Sequence, residues 1–385
     1  MTTVRPIRVG ALTLVAALAI AACGGGASTA PTIAPDVTPG PTTAESNGPT
    51  TPEPPSSDVV LQGAGATFPN PLYQVWFEAF NYKYNNIQID YQSIGSGGGI
   101  KAITEQTVDF GASDAPMKDA EIAALPAGTT MLHIPTALGA VVVIFNLGDV
   151  KDLNLDADNV ANIFLGNITN WNDPAIAANN PGVTLPDQAI RVVHRSDGSG
   201  TTNAFTTYLD TVSAEWHDKV GKGKEVNWPT GIGAPGNDGV AGGVKGDANV
   251  GAVGYVELNY ATTAGLTSAK LKNAAGKFVA GSTDGVTAAA EGAAASFPAD
   301  FRQAPIINGA GDATYPLASY TYLLVYKDQT DALKGQTLVA FIYWCLTDGQ
   351  ATEGGLGYAP LPAPVKEKAI AELHEITTGG APIWP

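Results

Sequence analysis

The segment Ile190-Arg191-Val192-Val193-His194-Arg195-Ser196-Asp197-Gly198-Ser199-Gly200-Thr201-Thr202-Asn203-Ala204-Phe205 changes character twice within sixteen residues. Its β-branched opening suits a strand inside an α/β sheet. Gly198 and Gly200 then let the backbone bend close to a ligand, and Ser199 and Thr201 bring hydroxyls to a helix start at the cap position. The first N–H groups of that helix have no intrahelical acceptor and lie at the positive end of its dipole, which makes them an anion site. Strand, glycine turn and helix together are the repeating unit of an α/β fold.

The same design recurs upstream. Gly63-Ala64-Gly65-Ala66-Thr67-Phe68-Pro69 precedes a helix starting near Pro71, and Ile94-Gly95-Ser96-Gly97-Gly98-Gly99 leads from a strand at Ile87–Tyr91 into Ile100-Lys101-Ala102-Ile103. Val141–Phe145 and Tyr320–Tyr326 read as further strands. Helical spacing puts Leu72, Val75, Trp76 and Phe80 on one face of a helix over Leu72–Tyr84, and Leu338–Leu346 and Val365–Ile376 read as helices too. No fixed-period repeat occurs, so a solenoid is excluded and an α/β protein with helices covering a mixed sheet is expected. Gly231–Tyr255, with glycine at short intervals, reads as loops and close backbone packing, with Gly236-Asn237-Asp238-Gly239 as a turn.

The 385 residues include 20 basic and 36 acidic side chains, for a net charge of −16. A nucleic-acid binder needs a basic field to displace counterions from phosphates, so that function is excluded. Two cysteines, Cys23 and Cys345, make no disulfide framework, and four scattered histidines make no metal site. The N-terminus carries Arg5 and Arg8, then an uncharged run from Val9 to Ala22. That run covers roughly 21 Å as a helix, too short for a ~30 Å hydrocarbon core, so residues 1–22 read as an export signal. It ends in Ile20-Ala21-Ala22-Cys23, which resembles the bacterial lipobox, and this resemblance implies cleavage before Cys23 and acylation of its thiol. Gly24–Ser57 has eight prolines, seven threonines and no aromatic residue, so it cannot offset its ordering entropy by burial. Residues 23–57 are therefore expected to form a lipidated tether, and Cys345 to be a buried lone thiol.

One hydroxyl-rich junction is an ordinary cap; three in one chain, with Arg195 at the third, point to an anion cradle. No Gly-x-x-x-x-Gly-Lys-Ser/Thr loop and no Gly-x-Ser-x-Gly elbow occurs. A fourth segment, Val108-Asp109-Phe110-Gly111-Ala112-Ser113-Asp114-Ala115-Pro116, places a carboxylate in an apolar turn. Beside an anion this looks wrong until the ligand's proton is considered. Monohydrogen phosphate can donate a hydrogen bond to a carboxylate, whereas sulfate at neutral pH has no proton and would meet an unpaired negative charge. On that reading Asp114 selects phosphate.

Together these segments resemble the high-affinity phosphate-binding proteins of bacterial ABC phosphate importers. The similarity extends through Ile163-Phe164-Leu165-Gly166-Asn167-Ile168-Thr169-Asn170-Trp171-Asn172-Asp173, Gly236-Asn237-Asp238-Gly239 and Val253-Gly254-Tyr255-Val256-Glu257. The resemblance implies a type II periplasmic-binding-protein-like fold, two α/β lobes joined by two hinge crossings with the ligand between them. By analogy lobe one is 58–136 with 316–385, and lobe two is 137–315. It also implies the contacts: Thr67 and the Phe68 N–H, Ser96, Asp114, Arg195 steadied by Asp197, and Ser199, Gly200 and Thr201. Gly97 departs from the family pattern, standing where a second serine is expected, as does His194-Arg195-Ser196, where a more basic run is expected. The implied partners are inorganic phosphate, an ABC permease with its ATPase, and the membrane through the lipid. Neither a cofactor nor a catalytic residue is implied. Alternatives are a receptor for sulfate or molybdate, and a phosphatase.

Overall fold

The computed structural model describes residues 51–385. Residues 1–50, which include the signal segment, Cys23 and most of the expected tether, lie outside the described residues. The last residues assigned to the tether are held to the body. Glu53 accepts hydrogen bonds from the Tyr84 hydroxyl (2.7 Å) and from Gln336 Nε2 (2.9 Å), and the Pro55 carbonyl accepts one from Asn86 Nδ2 (2.9 Å).

Strand β1 (Val59–Gly65), helix α1 (Asn70–Lys83), strand β2 (Ile87–Ser93), helix α2 (Ser96–Thr104) and strand β3 (Phe110–Ser113) form the first βα units, with β1 parallel to both β2 and β3. Helix α3 (Asp119–Ala123) follows, then strand β4 (Met131–Phe145), strand β5 (Arg191–Arg195), helix α4 (Gly200–Val212), strand β6 (Ile232–Ala234), helix α5 (Gly236–Val244) and strand β7 (Ala252–Glu257). Strand β8 (Leu317–Tyr326) and helix α6 (Ala332–Leu346) return to the first half of the sheet. The strand order is β2-β1-β3-β8-β4-β7-β5-β6.

Strand β4 organises this sheet. From Met131 to Ala140 it runs antiparallel to β8, and from Val141 to Phe145 antiparallel to β7. It therefore belongs to both halves of the two-lobe fold. Every residue of β4 and β8 is buried, as in strands covered on both faces. The β4 strand begins ten residues before the expected Val141 because Pro135 is accommodated where the register with β8 shifts, between Thr321 and Tyr322. A bulge tolerates the missing N–H.

Beneath the first half, Phe80 of α1 packs on α6, edge-on to Phe341 (5.3 Å) and Trp344 (5.9 Å), and Trp76 Nε1 donates to the Gly349 carbonyl just past that helix (3.0 Å). Trp76 is fully buried, so truncation to alanine should cost about 3–5 kcal/mol. Tyr73 and Phe77 complete this face, and Val75, expected on it, is exposed. Cys345 is buried on α6, and burial pushes its thiol well above the usual range. Among the described residues no helix is long and apolar enough to cross a membrane.

One expectation is corrected. The glycine-rich stretch from Gly231 is built of regular elements, β6, α5 and β7. Helix α5 buries Val240, Ala241 and Val244, and Gly243 lets it approach β5 closely; a Cβ there would lie 2.9 Å from Val193. The glycines mark close packing between helix and sheet, which a helix tolerates at a modest propensity cost.

Candidate functional site

The C-terminal end of β5 delivers Arg195 to a buried position, 3% exposed. Its guanidinium makes a two-pronged pair with Asp197, Nε to Oδ1 at 2.8 Å and Nη2 to Oδ2 at 2.5 Å. Nη1 reaches toward Asn237 Oδ1 at 3.5 Å. Burial works to raise the Asp197 carboxyl, but the guanidinium overrides it and holds the group below the usual range. The Arg195 N–H donates to the Tyr255 hydroxyl (3.3 Å), which also pairs with Thr202 Oγ1 (2.6 Å). Tyr255 stacks with Phe205 (4.3 Å) and with Trp228 (5.7 Å), and His194 stacks on Trp228 (4.8 Å). These stacked rings pack around the Tyr255 ring whose hydroxyl accepts the Arg195 N–H.

Helix α4 begins beside it. Ser199 is the N-cap, its Oγ accepting the Thr202 N–H at 3.0 Å. His194 is occupied by the Trp228 stack and by the Arg195 carbonyl, so it makes no nucleophile–base pair with Ser199.

The opposite wall comes from β1, α2 and β3. Asp114 follows the end of β3 and is 2% exposed. Thr321 Oγ1 donates to its Oδ1 (2.9 Å) and Ser96 Oγ to its Oδ2 (3.3 Å). Burial pushes this carboxyl up to about 7, against the lowering effects of Thr321, the Arg195 charge and Ser96. Ser96 Oγ also accepts the Gly200 N–H (3.0 Å), so the start of α4 lies directly against this wall. A Cβ on Gly200 would stand 2.6 Å from both Ser96 Oγ and Asp114 Cβ, which makes glycine obligatory there. Gly95 caps α2 with φ of 84°, and a Cβ on it would lie 2.3 Å from Asp197.

Thr67 and Phe68 lie between β1 and α1, both buried. Thr67 Oγ1 accepts the Asn237 N–H (3.3 Å), and its carbonyl accepts the Tyr260 hydroxyl (2.5 Å). The Tyr358 hydroxyl lies 2.6 Å from the Phe68 carbonyl and 3.0 Å from buried Glu257, whose carboxyl desolvation holds far above its usual range.

The structure brings Thr67, Ser96, Asp114, Arg195, Ser199, Gly200 and Thr201 together with Asp197, and Phe68 follows Thr67 in the chain with its carbonyl turned to Tyr358. The cap reading holds for Ser199 alone, since α1 and α2 have no side-chain cap. Thr67 and Ser96 turn their hydroxyls to Asn237, Gly200 and Asp114 instead. Two residues escaped the sequence reading. Asn237 is fully buried; its side chain ties Arg195 to Thr201, with Nδ2 donating to Thr201 Oγ1 (3.2 Å), while its backbone N–H reaches Thr67. Its signal was the Gly-Asn-Asp-Gly run, which reads as a turn. Thr321, on the face of β8, gave no signal. Gly97 lies close to the Arg195 loop: its N–H donates to the Gly198 carbonyl (2.8 Å), and a Cβ would lie 3.0 Å from Gly198 Cα, so the expected serine would press on that backbone.

A PBP superfamily domain matches residues 37–348. The phosphate-binding protein PstS of Xylella fastidiosa Temecula1 is 43% identical over 315 residues, covering 80% of this chain and 84% of that protein. The chain belongs to the PstS family of phosphate-binding proteins. PstS of Pasteurella multocida is 42% identical over 329 residues, covering 84% of this chain and 93% of its own length. A phosphate-binding protein from Stenotrophomonas maltophilia shares the fold, with a TM-score of 0.64 at 22% identity over 82% of this chain and 94% of that one. PstS proteins bind a solute and catalyse no reaction, in keeping with a site built from hydrogen-bond donors around one arginine.

Proposed function

We propose that the chain is an extracytoplasmic receptor that binds inorganic phosphate between its two lobes and delivers it to an ABC import permease driven by its own ATPase. The observation that carries this reading is the convergence of Ser96 and Asp114 on one wall with Arg195 and the start of α4 on the other. In it, Arg195, Ser199, Gly200, Thr201, Thr67, Ser96 and the Phe68 N–H donate to phosphate oxygens, while Asp114 accepts the phosphate proton. Asp197 positions the arginine fork, and Asn237 positions its neighbours. The lobes are 58–136 with 316–385, and 137–315. The change of partner along β4 at Ala140/Val141, and the return through β8, support crossings near Thr136 and Tyr315. Phosphate touches both lobes and so favours the closed form. Residues 1–22 direct export, Cys23 carries the lipid anchor, and the proline-rich segment after it spaces the body from the membrane.

Titration calorimetry on the unlipidated protein at pH 8 tests this reading with phosphate, sulfate and molybdate, alongside a phosphate-ester hydrolysis assay. One tightly bound phosphate, weak sulfate and no hydrolysis are expected. Equal affinities for phosphate and sulfate would overturn the assignment of Asp114, and hydrolysis would favour the phosphatase alternative.

A further inference from the structure

Away from the phosphate contacts, Lys224 Nζ lies 2.7 Å from each carboxylate oxygen of Glu121. Lys224 belongs to the 137–315 lobe and Glu121, on α3, to the 58–136 lobe. The pair is unusual in its burial, the side chains being 9% and 26% exposed. The within-helix pairs Lys219–Glu215 and Lys101–Glu105 have lysines 62% and 74% exposed, where solvent leaves little net attraction. Arg302–Asp119 also ends on α3, but Asp119 is 93% exposed.

Both partners of the buried pair are held in place beforehand. Glu121 Oε2 accepts the Lys118 N–H (2.8 Å), closing a capping box that orients the carboxylate. The Lys224 carbonyl accepts the Ser199 N–H (2.9 Å), so the lysine is fixed to the residue that caps α4. Burial lowers the Lys224 ammonium below its usual range, Glu121 works against it, and Lys118 and Glu225 act on it with opposite signs.

We propose that the Lys224–Glu121 pair is a clasp between the lobes that slows phosphate release, so both residues determine affinity without touching the ligand. This rests on the phosphate-binding, two-lobe reading above. Opening the lobes must separate a pair of charges already desolvated and oriented, a cost borne by the opening step. Loss of a partly buried ion pair acts mainly on dissociation, whereas loss of an exposed rim charge acts on association.

Stopped-flow phosphate binding on the unlipidated full-length protein tests it. Glu121→Gln, nearly isosteric, is expected to speed dissociation five- to tenfold while association stays within twofold. Lys224→Met should do the same, the double variant should be no worse than either single, and Lys224→Arg should restore most of the effect. Unchanged dissociation in Glu121→Gln, or singles that add in the double, would overturn the clasp. Should the unsubstituted protein bind no phosphate, the ligand reading falls separately. The clasp is then read from small-angle scattering, as a radius of gyration that rises with salt in the unsubstituted protein but not in Glu121→Gln; equal salt responses would contradict it.

Discussion

Arg195 and Asp114 stand on opposite walls of one buried site, and the protein treats their charges in opposite ways. Arg195 is matched within the loop that carries it, by two hydrogen bonds to Asp197. Among the described residues Asp114 has no cationic partner in hydrogen-bond contact, only the hydroxyls of Thr321 and Ser96, and burial lifts its carboxyl to about 7. The arginine is a fixed, neutralised fork. The aspartate is a group whose charge depends on what proton is at hand. On the proposed reading, an anion's geometry is met on one wall and its protonation on the other. This also resolves the difficulty of a −16 chain that holds a dianion. Its net field opposes approach, so affinity has to come from short-range donors in a dry site.

If the fork supplies most of the affinity, Arg195→Ala should weaken phosphate binding by roughly 10³-fold, about 4 kcal/mol, because it removes the charge-assisted bonds and strands Asp197. Calorimetry would show this, with an unaltered circular-dichroism spectrum confirming the fold. The opposite wall should govern choice more than strength. Asp114→Asn is expected to raise sulfate affinity at pH 8 by roughly 100-fold, about 3 kcal/mol, since an amide can donate where a carboxylate repels. Phosphate affinity should move far less in the same variant. On the Arg195 wall, Asn237→Ala should cost about tenfold in phosphate affinity, ~1.4 kcal/mol, as Thr201 loses its amide donor and Arg195 Nη1 a nearby acceptor. A negligible effect there would mean that Arg195 and Thr201 are positioned without the Asn237 side chain.

The sequence carried the walls better than the ties between them. Arg195, Ser199 and Gly200 were legible because a strand, a glycine turn and a helix start are local features, written in consecutive residues. Asp114 could be placed beside the cradle only by considering a proton on the anion, since a carboxylate in a turn ordinarily bonds its own backbone. Thr321 was not, since its role arises only when β8 is laid beside β3, more than two hundred residues away in the chain. Asn237 was hidden by composition: glycines that favour a turn locally instead let α5 pack against β5. The strand read at Val141–Phe145 likewise missed the first ten residues of β4, which run through Pro135 where the register with β8 shifts. In each case tertiary packing overrode a local preference.

The contrast between a fixed and a titrating wall is tested most directly by the phosphate-to-sulfate affinity ratio at pH 8 and pH 5.5. The ligand-free Asp114 carboxyl, near 7, is ionised at the higher pH and protonated at the lower. Sulfate should be refused at pH 8 and accept a hydrogen bond from the protonated group at pH 5.5, tightening roughly tenfold. Phosphate can supply or accept the proton at either pH, so the ratio should fall as the pH is lowered, and stay flat in Asp114→Asn. A ratio that does not change with pH in the unsubstituted protein would contradict the reading of Asp114 as the group that senses the ligand's proton.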